Sequence, residues 1–307
     1  METEQIMERP SLGKGFLFAV SAYLLWGILP IYWKLLAAVS PLHILGFRIL
    51  FSLILVSAIL FSRRNFSWLR FFRDRRKGTL LILAAFTLSF NWGLYIWAVN
   101  SGHTIEASVG YYINPLVSIV LGLCFFRESL KPLQWAAFGL AMAGVLISTV
   151  FAGAPPWISL GLALSFGFYG LIKKAVDLSA LESLGAETLI ASPLGLLLLL
   201  LPFTAGGNSG QGLSYVSELP VPVLLLILGS GAVTTLPLYL FAKGTRLLPL
   251  STMGFIQFVA PTLTFLEGVF VFHESFPPRN FLVFGCIWAA VILYIISLKI
   301  TPRQSKN

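Results

Sequence analysis

Charge is what this chain has least of. Acidic and basic residues together make up 11% of its 307 residues, against about 25% in soluble globular domains. Most of the surface therefore faces something other than water. The two cysteines, Cys124 and Cys286, each lie inside an apolar run with no partner motif. That excludes a disulfide framework and a paired-thiol metal or redox site, and leaves packing thiols. The three histidines, His43, His103 and His273, fall at expected helix ends without metal-ligand spacing and read as surface residues. No HExxH, no GxSxG and no nucleotide-binding loop occurs. An intramembrane enzyme would lack its chemistry, ATP could not drive work within this chain, and no cofactor is expected. A channel would need a ring of charges or carbonyls, and the charges here are scattered. The first fourteen residues hold Glu2, Glu4 and Glu8, and the apolar run after them is too long for a signal-peptide core. It is expected to be a retained first span.

What is abundant is apolar sequence: 57% hydrophobic residues and a mean hydropathy of +0.87. A hydrocarbon core about 30 Å thick takes about 20 apolar residues per helix. Ten stretches meet this: 15–37, 42–62, 78–100, 104–126, 131–151, 156–174, 184–203, 220–243, 250–272 and 279–300. The longest connection, 204–219, is rich in Gly and Ser and reads as an exposed loop. Of the 21 lysines and arginines, Lys34 and Arg279 fall on one side of the membrane, Arg48 inside a span, and the rest on the other side. Positive residues favour the cytoplasm, so both termini are expected there. The net charge of +9 is thus juxtamembrane and does not argue for nucleic acid.

A shift of 146 residues aligns the two halves without a gap. Between Pro115 and Val145 ten of 31 positions are identical, among them Pro115/Pro261, Gly122/Gly268, Glu128/Glu274 and Pro132/Pro278. Five spans per half is an odd number, so the second half enters the membrane inverted. Inverted repeats are typical of secondary transporters, with substrate held near the midplane between the repeats. The expected fold is an all-α membrane protein of ten transmembrane helices in two inverted five-helix repeats, 15–151 and 156–300.

The segments AYLLWG (22–27), NWGLYIWAVN (91–100), EASVGYYINPLVSIVLG (106–122) and STMGFIQFVAPTLTFL (251–266) resemble the EamA family of the drug/metabolite transporter superfamily. The resemblance runs nearly end to end. It implies a bacterial inner-membrane permease or exporter with two EamA-like halves, moving a small organic solute, with an amphipathic drug such as chloramphenicol as one candidate. Members often carry His before the arginine of span two, where this chain has Phe47 before Arg48. Any role of that His is absent here.

Arg48 lies about seven residues into span two, roughly 10 Å below the boundary. A charge near a helix centre costs roughly 2.5–3.5 kcal/mol. Either a polar or anionic substrate group offsets that cost, or an ion pair does, with Glu267 at similar depth as the candidate; snorkelling to the interface is the third option. Glu106 and Glu187, each near an expected helix start, read as caps. Asn91 and Tyr95 of span three and Tyr111 and Asn114 of span four lie at mid-membrane, away from the interfacial aromatic belt. They suit an amphipathic-solute pocket or plain core packing. Pro115 and Pro261 each free the carbonyl four residues earlier, those of Tyr111 and Gln257. Matching interruptions in two halves point to a binding site, while close helix packing through small residues is the competing reading. The expected substrate-binding set is Arg48, Asn91, Tyr95, Tyr111, Asn114 and Gln257, with no metal. The expected partners are a small-molecule substrate and membrane lipids, with a homodimer left open.

Overall fold

The computed structural model describes residues 12–153, 157–201, 213–273 and 280–299. Within them every regular element is helical: α1 (Leu12–Leu35), α2 (Pro41–Ser62), α3 (Arg75–Asn100), α4 (Thr104–Phe125), α5 (Pro132–Ala152), α6 (Trp157–Ala175), α7 (Ala180–Leu200), α8 (Val221–Leu247), α9 (Leu250–Gln257), α10 (Val259–Phe270) and α11 (Asn280–Lys299). Short 3-10 turns cover Ser67–Arg73 and Ser214–Glu218. A helix satisfies its own backbone, which is why apolar runs in a bilayer fold this way.

The ends follow local chemistry. Pro41 and Pro132 open α2 and α5 at a position where a missing N–H costs nothing. Ser179 and Glu182 form a capping box on α7. Gly153, at φ +64°, closes α5 in the left-handed conformation.

Nine helices among the described residues are long and apolar enough to cross a membrane, with α9 and α10 counted as one stretch. Large apolar side chains such as Leu17, Ile54, Phe86, Leu200, Leu225 and Phe270 are more than 60% exposed, which a water-facing surface would not tolerate on this scale. The 19-residue α6 is not among the nine, because Lys173 and Lys174 in its last turn lower its hydropathy.

The expected single ninth span is broken at Phe258, between α9 and α10. Pro261 cannot donate to the Gln257 carbonyl, and the break falls there. Pro115 sits in an uninterrupted α4, so the two prolines do not act alike.

The principal helix contacts are α1 with α8 and α10, α3 with α6 and α7, α2 with α7 and α8, α4 with α6 and α9, and α5 with α11. Two aromatic-rich cores result. Tyr23, Trp26, Phe166, Tyr169 and Phe241 interlock between α1, α6 and α8. Phe255 stacks on Tyr294 at 4.0 Å between α9 and α11. His43, expected at the surface, is fully buried: its ring meets Tyr215 Oη at 2.8 Å and the Leu201 carbonyl at 3.0 Å. The 3-10 turn after α7 covers the start of α2 there.

Helices approach closely where side chains are small. A Cβ on Gly231 would lie 2.4 Å from the Phe51 carbonyl carbon, whereas one on Gly139 would meet nothing within 4 Å. Gly231→Ala is therefore expected to destabilise by about 1–3 kcal/mol through overpacking. Gly139→Ala should be neutral or slightly stabilising. Thermal unfolding of the detergent-purified variants, followed by size exclusion, checks the contrast.

Candidate functional site

Arg48 lies on α2 and is half-buried. Its guanidinium carbon stands over the Trp33 ring of α1 at 4.6 Å and the Trp92 ring of α3 at 4.4 Å. Its Nε donates to Thr234 Oγ1 of α8 at 2.9 Å. Cation–π contacts contribute about 0.5–2 kcal/mol each, and hydrogen bonds made by a charged group about 1.5–3 kcal/mol. Together they match the insertion cost of the charge without any acid. The ion pairs among the described residues are Lys77–Asp177, His103–Glu106, Lys173–Glu187 and Lys174–Glu128, and none includes Arg48. The expected candidate partner, Glu267, is buried on α10 and makes no ion pair with Arg48 among the described residues, its Oε2 being without a hydrogen bond there.

Tyr111 is within electrostatic reach of both Arg48 and Tyr95. The two tyrosines meet edge to face at 5.6 Å and are 45% and 37% exposed. Of the six expected site residues, Tyr95 and Tyr111 touch each other, while Arg48 makes its contacts to Trp33, Trp92 and Thr234. Two of the other three sit in helix contacts. Asn91 donates to the Leu162 carbonyl at 2.8 Å and Ser165 Oγ at 2.9 Å, tying α3 to α6. Gln257 Oε1 accepts from Ser118 Oγ at 3.3 Å and Tyr23 Oη at 3.5 Å, joining α9 to α4 and α1. Asn114 is buried, with its Oδ1 lacking a partner among the described residues. The small-residue face shared by α4 and α9 is closely packed, since a Cβ on Gly254 would lie 2.6 Å from the Pro115 carbonyl oxygen.

Below Arg48 a cavity of about 30 Å³ is lined mainly by apolar groups, among them Ile49, Leu88, Trp92, Leu184 and Leu238, with Ser52, Ser89, Thr188, Thr234 and Thr235 between them, and it reaches Glu187. A larger groove of about 490 Å³, lined by Leu25, Leu29, Leu55 and Ile59 and bordered by Arg63, shares Thr235 with it. Among the described residues no group of three His, Cys, Asp or Glu is placed to hold a metal.

Glu187 is not a helix cap. Ser179 and Glu182 fill that role, and Glu187, one turn deeper, accepts from Lys173 Nζ at 2.7 Å, Tyr169 Oη at 3.1 Å and Ser183 Oγ. Lys173 and Glu187 are each 3% exposed, so Lys173 is no interfacial cation either. Sequence reasoning missed this pair. The available signal was spacing: Tyr169 and Lys173 are four apart, as are Ser183 and Glu187, which puts each pair on one helix face. Glu128, after α4, accepts from the backbone N–H groups of Leu250 and Ser251 at 2.7 and 2.8 Å. It thereby caps α9, with Lys174 at 3.7 Å. Its repeat mate Glu274 lies outside the described residues.

Apolar helices around an aromatic-flanked cation define an integral membrane protein with a polar site inside its helix bundle. Comparison with known proteins makes that class specific. Residues 13–150 match the EamA-like transporter family. The chain is 42% identical to Protein RarD of Streptomyces exfoliatus, covering 95% of this chain and 91% of that protein. It is 40% identical to the transporter YojE of Bacillus subtilis, over 98% of this chain and all of that protein. It is 36% identical to Protein RarD of Escherichia coli, over 98% and 100%. A solved structure titled "Crystal structure of protein" superposes with a TM-score of 0.70 at 17% identity, covering 95% of this chain and 100% of that one, which speaks to fold alone. The chain belongs to the EamA-like transporter family, as a RarD-like member.

The Lys173–Glu187 pair predicts asymmetric mutational costs. Glu187→Leu leaves an uncompensated buried ammonium and is expected to cost about 3–5 kcal/mol, whereas Lys173→Met/Glu187→Leu removes both charges and should cost much less. Thermal midpoints of the single and double variants in detergent decide this; a double variant no more stable than Glu187→Leu would remove the pair from the account.

Proposed function

We propose that this chain is a secondary transporter of the bacterial inner membrane, moving a small organic solute by alternating access. Its ten spans form two inverted repeats, 15–151 and 156–300, with both termini cytoplasmic. The pattern of helix contacts supports the repeat. Exchanging α1 with α6, α2 with α7, α3 with α8, α4 with α9–α10 and α5 with α11 turns the α1–α8 contact into α6–α3, and α2–α8 into α7–α3. It turns α4–α6 into the contact of α10 with α1, and leaves α2–α7, α5–α11 and α4–α9 in place. On this reading α6 is the tenth span, its two lysines absorbed by Glu187 and Glu128.

The observation that carries the function is the position of Arg48. Trp33, Arg48 and Trp92 come from the first proposed repeat and Thr234 from the second. A polar site at the junction of two repeats is where alternating-access transporters hold solute. Tyr95 and Tyr111 add a half-exposed aromatic pair, which suits an amphipathic molecule. A relative in Pseudomonas aeruginosa, 31% identical, bears the name chloramphenicol-sensitive protein RarD, and chloramphenicol is one amphipath to test.

Two measurements follow. Uptake of candidate solutes into proteoliposomes, with and without an imposed pH gradient, should be carrier-dependent. Arg48→Gln should reduce it by about tenfold or more, the loss of one charge-assisted contact, with the protein still inserted. Equal uptake by liposomes with and without protein for every solute tried would sink the reading. For orientation, Arg73→Cys and Gly102→Cys are placed in a background lacking Cys124 and Cys286. An impermeant thiol reagent outside intact cells should label the second and not the first, and the reverse pattern would invert the topology.

A further inference from the structure

The donor inventory of Arg48 is only partly used. A guanidinium offers five N–H donors. One, on Nε, goes to Thr234. The two indoles interact with the charge and accept no conventional hydrogen bond. Both Nη nitrogens are without an acceptor among the described residues, yet neither is sealed, since neither is among the solvent-inaccessible orphan atoms. Thr235 Oγ1 is such an orphan, on a residue 94% buried by its 6% exposure, and it lines the same cavity. A buried hydroxyl without a partner is costly. The Nη edge of Arg48 thus keeps donors that the described residues do not use, beside a cavity that Arg48 and Thr235 both line.

The charge balance says what fills it. Glu187, at the far end of the cavity, is already matched by Lys173 at 2.7 Å. One positive charge, on Arg48, is left over. A phosphate monoester carries about −1.5 to −2 at neutral pH and would leave the site negative. A carboxylate carries one charge, and its planar pair of oxygens fits the two parallel N–H groups of a guanidinium edge. The cavity, about 30 Å³, is water-sized and too small for a whole solute. The rest of the solute must lie outside it, and the half-exposed Tyr95–Tyr111 pair supplies an aromatic surface for that part.

We propose that the Arg48 site recognises an aromatic or amphipathic monocarboxylate, its carboxylate on the Nη edge of Arg48 and its apolar body against Tyr95 and Tyr111. This rests on the transporter reading of the same site and narrows it to a substrate class. A neutral amphipath then gains the aromatic contacts without the ionic one.

The test is equilibrium binding of phenylacetate and of its neutral isostere phenylacetamide to the full chain in lipid nanodiscs, by titration calorimetry. Wild-type protein is expected to bind phenylacetate at least about tenfold tighter than the amide, the value of one charge-assisted pair. Arg48→Gln should bring the two within about twofold of each other. If R48Q is not recovered folded, R48K is read instead. It keeps the charge without the planar fork, so the preference should shrink severalfold and not vanish. Equal binding of acid and amide by wild type, binding of neither, or a preference that survives R48Q unchanged would overturn the proposal. Because binding is measured without a gradient, the outcomes separate. Acid preference without proteoliposome uptake contradicts transport alone, and carrier-dependent uptake of neutral amphipaths without acid preference contradicts only the substrate class.

Discussion

One positive charge inside the hydrocarbon region constrains much of this structure. Arg48 is carried into the membrane by an otherwise apolar α2 and finds no carboxylate there among the described residues. The protein answers with two indoles and a hydroxyl drawn from three other helices. Those contacts fix the mutual positions of α1, α2, α3 and α8 at one level. Among the described residues no acceptor meets the Nη edge of the guanidinium.

The contrast with Lys173 is instructive. Both cations sit inside the helix bundle, but Lys173 is sealed by Glu187, Ser183 and Tyr169. That network is electrically neutral, and it ties α6 to α7. The Arg48 site is charged and open. A buried pair contributes rigidity at little net gain, whereas an unmatched charge beside a cavity is an invitation to a ligand. Glu128 plays a third role. It spends both oxygens on the first N–H groups of α9, which anchors the short broken helix at one end while Gln257 holds it at the other.

Much of the architecture was legible in the sequence because bilayer thickness and backbone chemistry leave few choices. Apolar runs of about 20 residues had to be helices. Pro261 marked where the ninth stretch breaks. The same reasoning overstated Pro115, because a proline in a packed membrane helix need not interrupt it. The depth of Arg48 was readable from its place in α2, but its partners were not, since Trp33, Trp92 and Thr234 lie on other helices and only packing brings them together. Asn91, Asn114 and Gln257 looked like pocket residues by their mid-membrane polarity. Two of them serve as interhelical hydrogen-bonding groups, a use of polar side chains that hydropathy cannot tell from a binding site. Lys173 was hidden for a related reason: a lysine at the end of an apolar run looks interfacial until its acid is found on the next helix.

The central claim is that the space around Arg48 lies on a path open to each side of the membrane in turn. Ser89 lines that space. With Cys124 and Cys286 replaced by alanine and Ser89 by cysteine, a membrane-impermeant methanethiosulfonate is applied to oriented vesicles from one face and then the other. The account predicts modification from both faces, slowed by phenylacetate. Modification from neither face, or from one face only with no effect of the carboxylate, would contradict it.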